Sequence, residues 1–130
     1  MLLGIDPGRS KCGVAVLTED GKEVLKDISK TSELSKKLED ILENYSIDKV
    51  VLGNGTYADK IYNILKLLFD ENKIIFINEE NSTYLAEQKY LKENPPLGLS
   101  FLNKIMKFKP KRALDDYTAV VLVKKYLKNK

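Results

Sequence analysis

Leu2-Leu3-Gly4-Ile5-Asp6-Pro7-Gly8, with Cys12-Gly13-Val14-Ala15-Val16-Leu17 close behind, opens the chain. The pattern reads as a buried strand with one carboxylate at its end, a glycine turn, and a second apolar strand running back. A carboxylate set between two core strands is costly unless it is solvated, paired or bound to a cation. That cost points to a cation or phosphate as the reason for Asp6. Two further acidic spots, Glu79 and the pair Asp115-Asp116, are placed so that a fold could bring them to the same point.

Outward from this stretch, composition narrows the chemistry. A chain of 130 residues, 43% hydrophobic and 32% charged, predicts one globular domain over 1–130. No run approaches the ~18 apolar residues of a membrane span, and the N-terminus lacks a basic region followed by an apolar signal core. A cytoplasmic protein with no membrane partner is therefore expected. Histidine is absent and Cys12 is the one cysteine. That removes zinc sites built on Cys and His, and it removes Ser-His and Cys-His nucleophiles. Any metal must be held by carboxylates and water, which points to a hard ion such as Mg²⁺ or Mn²⁺.

Residues 2–6, 12–17 and 22–29 read as three strands, with a hairpin signal at Glu19-Asp20-Gly21-Lys22. Thr31 or Ser32 offers an N-cap, and Leu34, Leu38, Ile41, Leu42 and Tyr45 follow at helical spacing, predicting a helix over 32–45. Strands are predicted at 49–53 and 73–77, and helices at 57–70, 82–92 and 113–128. Asn94-Pro95-Pro96 stops the 82–92 helix. Residues 97–110 read as a short helix or a basic loop. An antiparallel meander feeding strand–helix alternation implies an α/β fold, a mixed sheet with helices on both faces.

Asp6 and Glu79 lie at or just past the ends of predicted strands, where ligands collect in open sheets if the two strands run parallel. The last helix need only dock its N-terminus there for Asp115 or Asp116 to join them. Such a cluster repels itself and demands a cation. It suits phosphodiester hydrolysis, in which two ions about 4 Å apart activate a water and stabilise the leaving oxygen. Each acid also has a plainer use: Asp6 as a turn residue, Glu79 as a solvated loop acid, Asp115 as an N-cap with Asp116 behind it.

Net charge is only +3, but its distribution is uneven. From Lys104 to Arg112 the chain carries Lys104, Lys107, Lys109, Lys111 and Arg112 with no acid, leading directly to Asp115-Asp116. Phosphate-neutralising groups beside metal-binding acids suit nucleic acid, and a solvated loop would show the same composition. Lysines at 124, 125, 128 and 130 fit a helix C-terminus, where cations complement the dipole. Gly53-Asn54-Gly55-Thr56 could present backbone N–H groups to a phosphate or form an ordinary turn. Cys12 reads as a small buried hydrophobe. Tyr57, Tyr84 and Phe108 are candidates for stacking on bases.

Asp6-Pro7-Gly8-Arg9-Ser10-Lys11-Cys12-Gly13-Val14-Ala15-Val16 resembles the opening motif of the YqgF/RuvX group of RNase H-like nucleases, D-x-G-x-x-x-x-G-V-A-V. Gly53-Asn54-Gly55-Thr56 resembles a motif in the YqgF-like domain of the transcription accessory protein Tex. Asn78-Glu79-Glu80-Asn81-Ser82-Thr83 is similar to the family's D-E-R-x-[ST]-T, with Asn78 for Asp and Glu80 for Arg. Asp115-Asp116-Tyr117-Thr118-Ala119-Val120-Val121-Leu122 is similar to its closing helix. The motifs occur in the family's order over nearly the whole chain.

The resemblance implies an RNase H-like fold, a five-stranded mixed sheet in the order 3-2-1-4-5. It places catalytic and metal-binding roles on Asp6, Glu79 and Asp115, while the closing motif of RuvC resolvases would select Asp116 instead. It implies a metal-dependent endonuclease acting on structured nucleic acid, a Holliday junction or precursor ribosomal RNA. Junction resolvases of this fold generally work as dimers, so a homodimer is implied too. The Tex-like features imply an alternative, a non-catalytic nucleic-acid-binding module. A sugar-kinase or actin-like ATPase also opens with an Asp-x-Gly hairpin, but needs two such domains around its nucleotide.

Overall fold

A computed structural model of the chain describes residues 1–95 and 112–130. Strands β1 (Leu2–Asp6), β2 (Lys11–Leu17) and β3 (Glu23–Lys30) form an antiparallel meander. Helix α1 (Leu34–Asn44) leads to β4 (Lys49–Gly53), which pairs parallel with β1. Helix α2 (Ala58–Leu65) leads to β5 (Ile74–Ile77), parallel to β4. Helices α3 (Ser82–Glu93) and α4 (Asp115–Lys128) follow. The sheet order is β3-β2-β1-β4-β5, as the resemblance implies.

Period-two alternation sorts the strand side chains onto two faces. Leu3, Ile5, Val14, Val16, Val50 and Leu52 pack beneath α1 and α2, whose apolar stripes are Leu34, Leu38 and Ile41, and Ala58, Ile61 and Leu65. Leu2, Ala15, Leu17 and Val51 pack on the opposite face against Ala119, Val120, Leu122 and Val123 of α4. Helix α3 packs on α4 through Ala86, Tyr117 and Val121. Helices therefore cover both faces, as expected.

Local chemistry explains most of the boundaries. The β2–β3 hairpin turns at Gly21, whose φ of 89° is open to glycine at no steric cost. Thr31 caps no helix through its side chain: its hydroxyl donates to the Gly8 carbonyl at 2.8 Å, tying the β1–β2 loop to the end of β3. The helix expected over 57–70 ends at Leu65. Beyond it the Leu67 and Leu68 N–H groups bond to carbonyls only three residues back, so the last turn tightens and leaves Leu67 exposed. Helix α4 begins at Asp115, with Leu114 at the N-cap, two residues later than expected. The expectation for 97–110 lies outside the described residues.

One contact fixes how α4 meets the sheet. Gly13 pairs with Asp6 across the β1–β2 ladder, and a Cβ on Gly13 would overlap the backbone carbonyl of Asp115. The first turn of α4 thus lies directly on the strand where a side chain would stand. Because the obstructing atom is backbone, Gly13→Ala must push the helix away. We expect a loss of about 1–3 kcal/mol, typical of overpacking, read as a lower urea midpoint at unchanged slope.

Candidate active site

Asp6 is the last residue of β1 and is only partly covered. By the alternation of its strand it lies on the α4 face, with Leu2 and Gly4. Glu79 follows the end of β5 in the loop Asn78-Glu79-Glu80. Its N–H donates to Asn54 Oδ1 at 3.1 Å, and the Asn54 N–H donates to the Ile77 carbonyl at 3.0 Å. Its carbonyl accepts from the Ser82 hydroxyl at 2.6 Å and the Ser82 N–H at 2.9 Å. A Cβ on Gly53 or on Gly55 would overlap the Glu79 carboxylate. The Gly53-Asn54-Gly55 turn, read in sequence as a phosphate cradle or a plain turn, is here a seat for that carboxylate.

Asp115 is the first residue of α4. Its Oδ2 is buried with no hydrogen-bond partner, and the Lys11 ammonium stands 3.8 Å from it. At that range Lys11 supplies attraction without a hydrogen bond. The Asp6 carboxyl is within hydrogen-bonding reach of both Glu79 and Asp115. Burial first, then the hydrogen bond and charge of Glu79, then the charge and hydrogen bond of Asp115, push Asp6 from its ordinary 3.8 up to about 9. In the absence of a cation, these causes favour the protonated form of Asp6 at neutral pH, with one proton to share between two neighbouring carboxylates.

Asp116 goes elsewhere. It is 6% exposed, accepts a bidentate pair from Arg112 at 3.2 and 3.1 Å, and accepts the Tyr117 N–H at 2.9 Å. The Arg112 guanidinium also stands over the rings of Tyr90 and Tyr117, 5.7 and 5.1 Å from their centroids. Of the two acids left open by sequence, the structure brings Asp115 to Asp6 and sets Asp116 in this clamp. Arg112, a candidate phosphate contact, is held against Asp116. Lys104, Lys107, Lys109, Lys111 and Phe108 lie outside the described residues. Cys12 is fully buried, its Sγ 3.4 Å from Thr31 Oγ1. Tyr84 is 60% exposed and Tyr57 is half-buried beneath Lys60.

Two cations escaped the sequence reading. Lys11 stands between the Gly8 turn and Gly13, and that place in the opening motif is its one local signal. Lys125 fits a helix C-terminus by its sequence, yet its ammonium donates to the carbonyls of Asn78 and Glu80 at 2.6 and 2.7 Å. No local pattern reports a contact spanning more than forty residues.

A divalent cation fits this donor set. Three carboxylates converge, one is forced to keep a proton, and one buried oxygen has no partner; a hard cation would answer all three. Among the described residues no group of three or more His, Cys, Asp or Glu side chains stands in ready coordination geometry.

Known proteins are similar to this chain in sequence and in fold. The family model described as "RuvX: Holliday junction resolvase" matches residues 1–129. A Helicobacter pylori (strain Shi470) protein named "Putative pre-16S rRNA nuclease" is 32% identical over 134 aligned positions, covering 97% of this chain and 94% of that protein. The "Uncharacterized protein YdcI" of Bacillus subtilis is 33% identical over 109 positions and 74% of this chain. The match spans only 15% of YdcI's own length. Among solved structures, Thermus thermophilus RuvC in complex with Holliday junction substrate superposes with a TM-score of 0.55 at 13% identity, covering 93% of this chain and 88% of that one. At that identity the likeness is one of fold, and the fold is RNase H-like.

The protonated Asp6 makes a stability prediction for metal-free protein. The folded state holds this proton up to about pH 9, whereas the unfolded chain loses it near 3.8. Between those values the native state binds more protons, so stability falls as pH rises. Asp6→Asn removes the ionising group. In EDTA its melting temperature should exceed that of the unaltered protein by a few degrees at pH 8, and by clearly less at pH 5. Equal differences at the two pH values would refute the assignment.

Proposed function

The chain belongs to the RuvX family of Holliday junction resolvases, and from that premise we propose a divalent-metal-dependent endonuclease that cuts phosphodiester bonds in structured nucleic acid, a four-way DNA junction or precursor 16S rRNA. The observation that carries the reading is the convergence of Glu79 and Asp115 on Asp6, with a buried, unpartnered oxygen on Asp115. Asp6, Glu79 and Asp115 would hold Mg²⁺ or Mn²⁺. Such ions supply a water of lowered pKa and neutralise charge developing on the phosphate.

The chain's own residues do the rest. Asp6 must give up its proton when a cation is bound, and Glu79, seated by Gly53, Asn54 and Gly55, must hold its place as that happens. Lys11, half exposed beside Asp115, is free to turn toward a substrate phosphate. Lys104, Lys107, Lys109 and Lys111 supply further phosphate contacts in this proposal, with Arg112 anchoring the end of their segment. The reading treats residues 1–130 as one RNase H-like domain that works as a homodimer in the cytoplasm. Among the described residues no helix is long and apolar enough to cross a membrane. The likeness to a short stretch of the much longer YdcI favours a second reading, a nucleic-acid-binding module without turnover.

Labelled four-way junction, duplex DNA and precursor 16S rRNA, incubated with protein and Mg²⁺ or Mn²⁺, separate the two. Cleavage requiring the metal is expected. Asp6→Asn, Glu79→Gln and Asp115→Asn should each lower it by about 10²–10³-fold, the size typical of losing one group that stabilises developing charge. Asp116→Asn should retain metal-dependent cutting while melting at lower temperature. Salt-sensitive binding without cutting, alike in the unaltered protein and Asp6→Asn, would replace the nuclease with the binding module.

A further inference from the structure

We propose that Lys125 is a positioning residue for the carboxylate site: its ammonium pins the loop between β5 and α3 and thereby sets where the Glu79 carboxylate stands. The proposal rests on the metal-nuclease reading of Asp6, Glu79 and Asp115. The two carbonyls that accept from Lys125 Nζ, those of Asn78 and Glu80, flank Glu79 on either side. Hydrogen bonds from an ammonium are roughly twice as strong as neutral ones, and both are short.

The remaining restraints on this loop are few. Asn54 holds the Glu79 N–H, Ser82 holds its carbonyl, and Asn78 Oδ1 accepts the Glu80 N–H at 2.8 Å. Asn81 then turns the chain into α3 with a left-handed φ of 64°. Asn78, Glu80 and Asn81 are all exposed, so no packing secures them. Without Lys125 the flanking carbonyls return to water, and the Glu79 backbone is held only by Asn54 and Ser82, with exposed residues on either side.

The pin also has a fixed origin. Lys125 lies on α4, about 15 Å along the axis from Asp115 at 1.5 Å per residue. One rigid helix thus places Asp115 with its first residue and restrains the Glu79 loop from its third turn onward. Lys125 is half-buried in this role, whereas its neighbour Lys124 is exposed. Lys89, Lys124 and Lys128 line a groove with Lys125, so a phosphate contact is the competing use of this side chain.

Lys125→Met, Lys125→Arg and Lys124→Met distinguish the two uses. Mn²⁺ binding by electron paramagnetic resonance and amide exchange at residues 79–82 need neither substrate nor turnover. Loss of a group that orients a metal ligand typically weakens metal affinity 10–100-fold. Lys125→Met should therefore raise the Mn²⁺ Kd by at least about tenfold and speed exchange at residues 79–82. Its kcat should fall at unchanged nucleic-acid KM, Lys125→Arg should recover part of each loss, and Lys124→Met should alter none. Unchanged Mn²⁺ affinity and exchange in Lys125→Met, or a raised KM at unchanged kcat, would overturn the proposal. If the unaltered protein binds no Mn²⁺, the metal reading falls, and the exchange rates still decide whether Lys125 pins the loop.

Discussion

Repulsion among the carboxyl groups of Asp6, Glu79 and Asp115 governs the edge of the sheet where they meet. No histidine exists in the chain to share the charge, and Lys11, half exposed and 3.8 Å from Asp115, offsets it only in part. A proton on Asp6 is the local answer, and a divalent ion would be another. Left to electrostatics alone, the three groups would separate. Their convergence therefore has to be imposed by the rest of the fold.

Close backbone approach at small residues does part of this. Gly13 lets the first turn of α4 lie on β2 opposite Asp6, and Gly4 lies against Ala119 and Val123 farther along the same helix. The far side of α4's first turn is fastened by Arg112 with Asp116 and by Tyr117, whose hydroxyl donates to Glu93 of α3 at 3.1 Å. Lys89 of α3 in turn pairs with Glu23 of β3 and with Glu93. The polar network thus lies on the side of α4 away from the three acids, fixing the helix without neutralising the site. Asp115 and Asp116, adjacent in sequence, face opposite demands.

Sequence made the sheet readable because its signals are local. The alternation of Leu3, Ile5, Val14 and Val16, the Gly21 turn, and the stripe Leu34-Leu38-Ile41 each declare an element within a few residues. Strand order came from motif resemblance, since pairing between β1 and β4 leaves no mark in either strand alone. The acids were legible as positions at strand ends. The choice between Asp115 and Asp116 was not: it depends on where α4 begins, and Leu114 rather than Asp115 takes the N-cap. Lys125 was hidden for a related reason. A lysine at a helix C-terminus has a sufficient local explanation, and nothing nearby says that two distant carbonyls need it.

The order of the strands also carries a consequence for how the molecule comes together. β1, β2 and β3 pair with their sequence neighbours and close small loops, whereas β4 and β5 join through helical crossovers, and α4 lays Asp115 beside a residue near the opposite end of the chain. Loop closure over long separations is slow and comes at an entropic cost before contacts repay it. Local strands are therefore poised to form early, and the acidic constellation belongs among the last contacts made. A chain paused part-way, or still emerging during synthesis, already has Asp6 but lacks its two companions. The full acidic constellation thus exists only once β5 and α4 have joined the sheet.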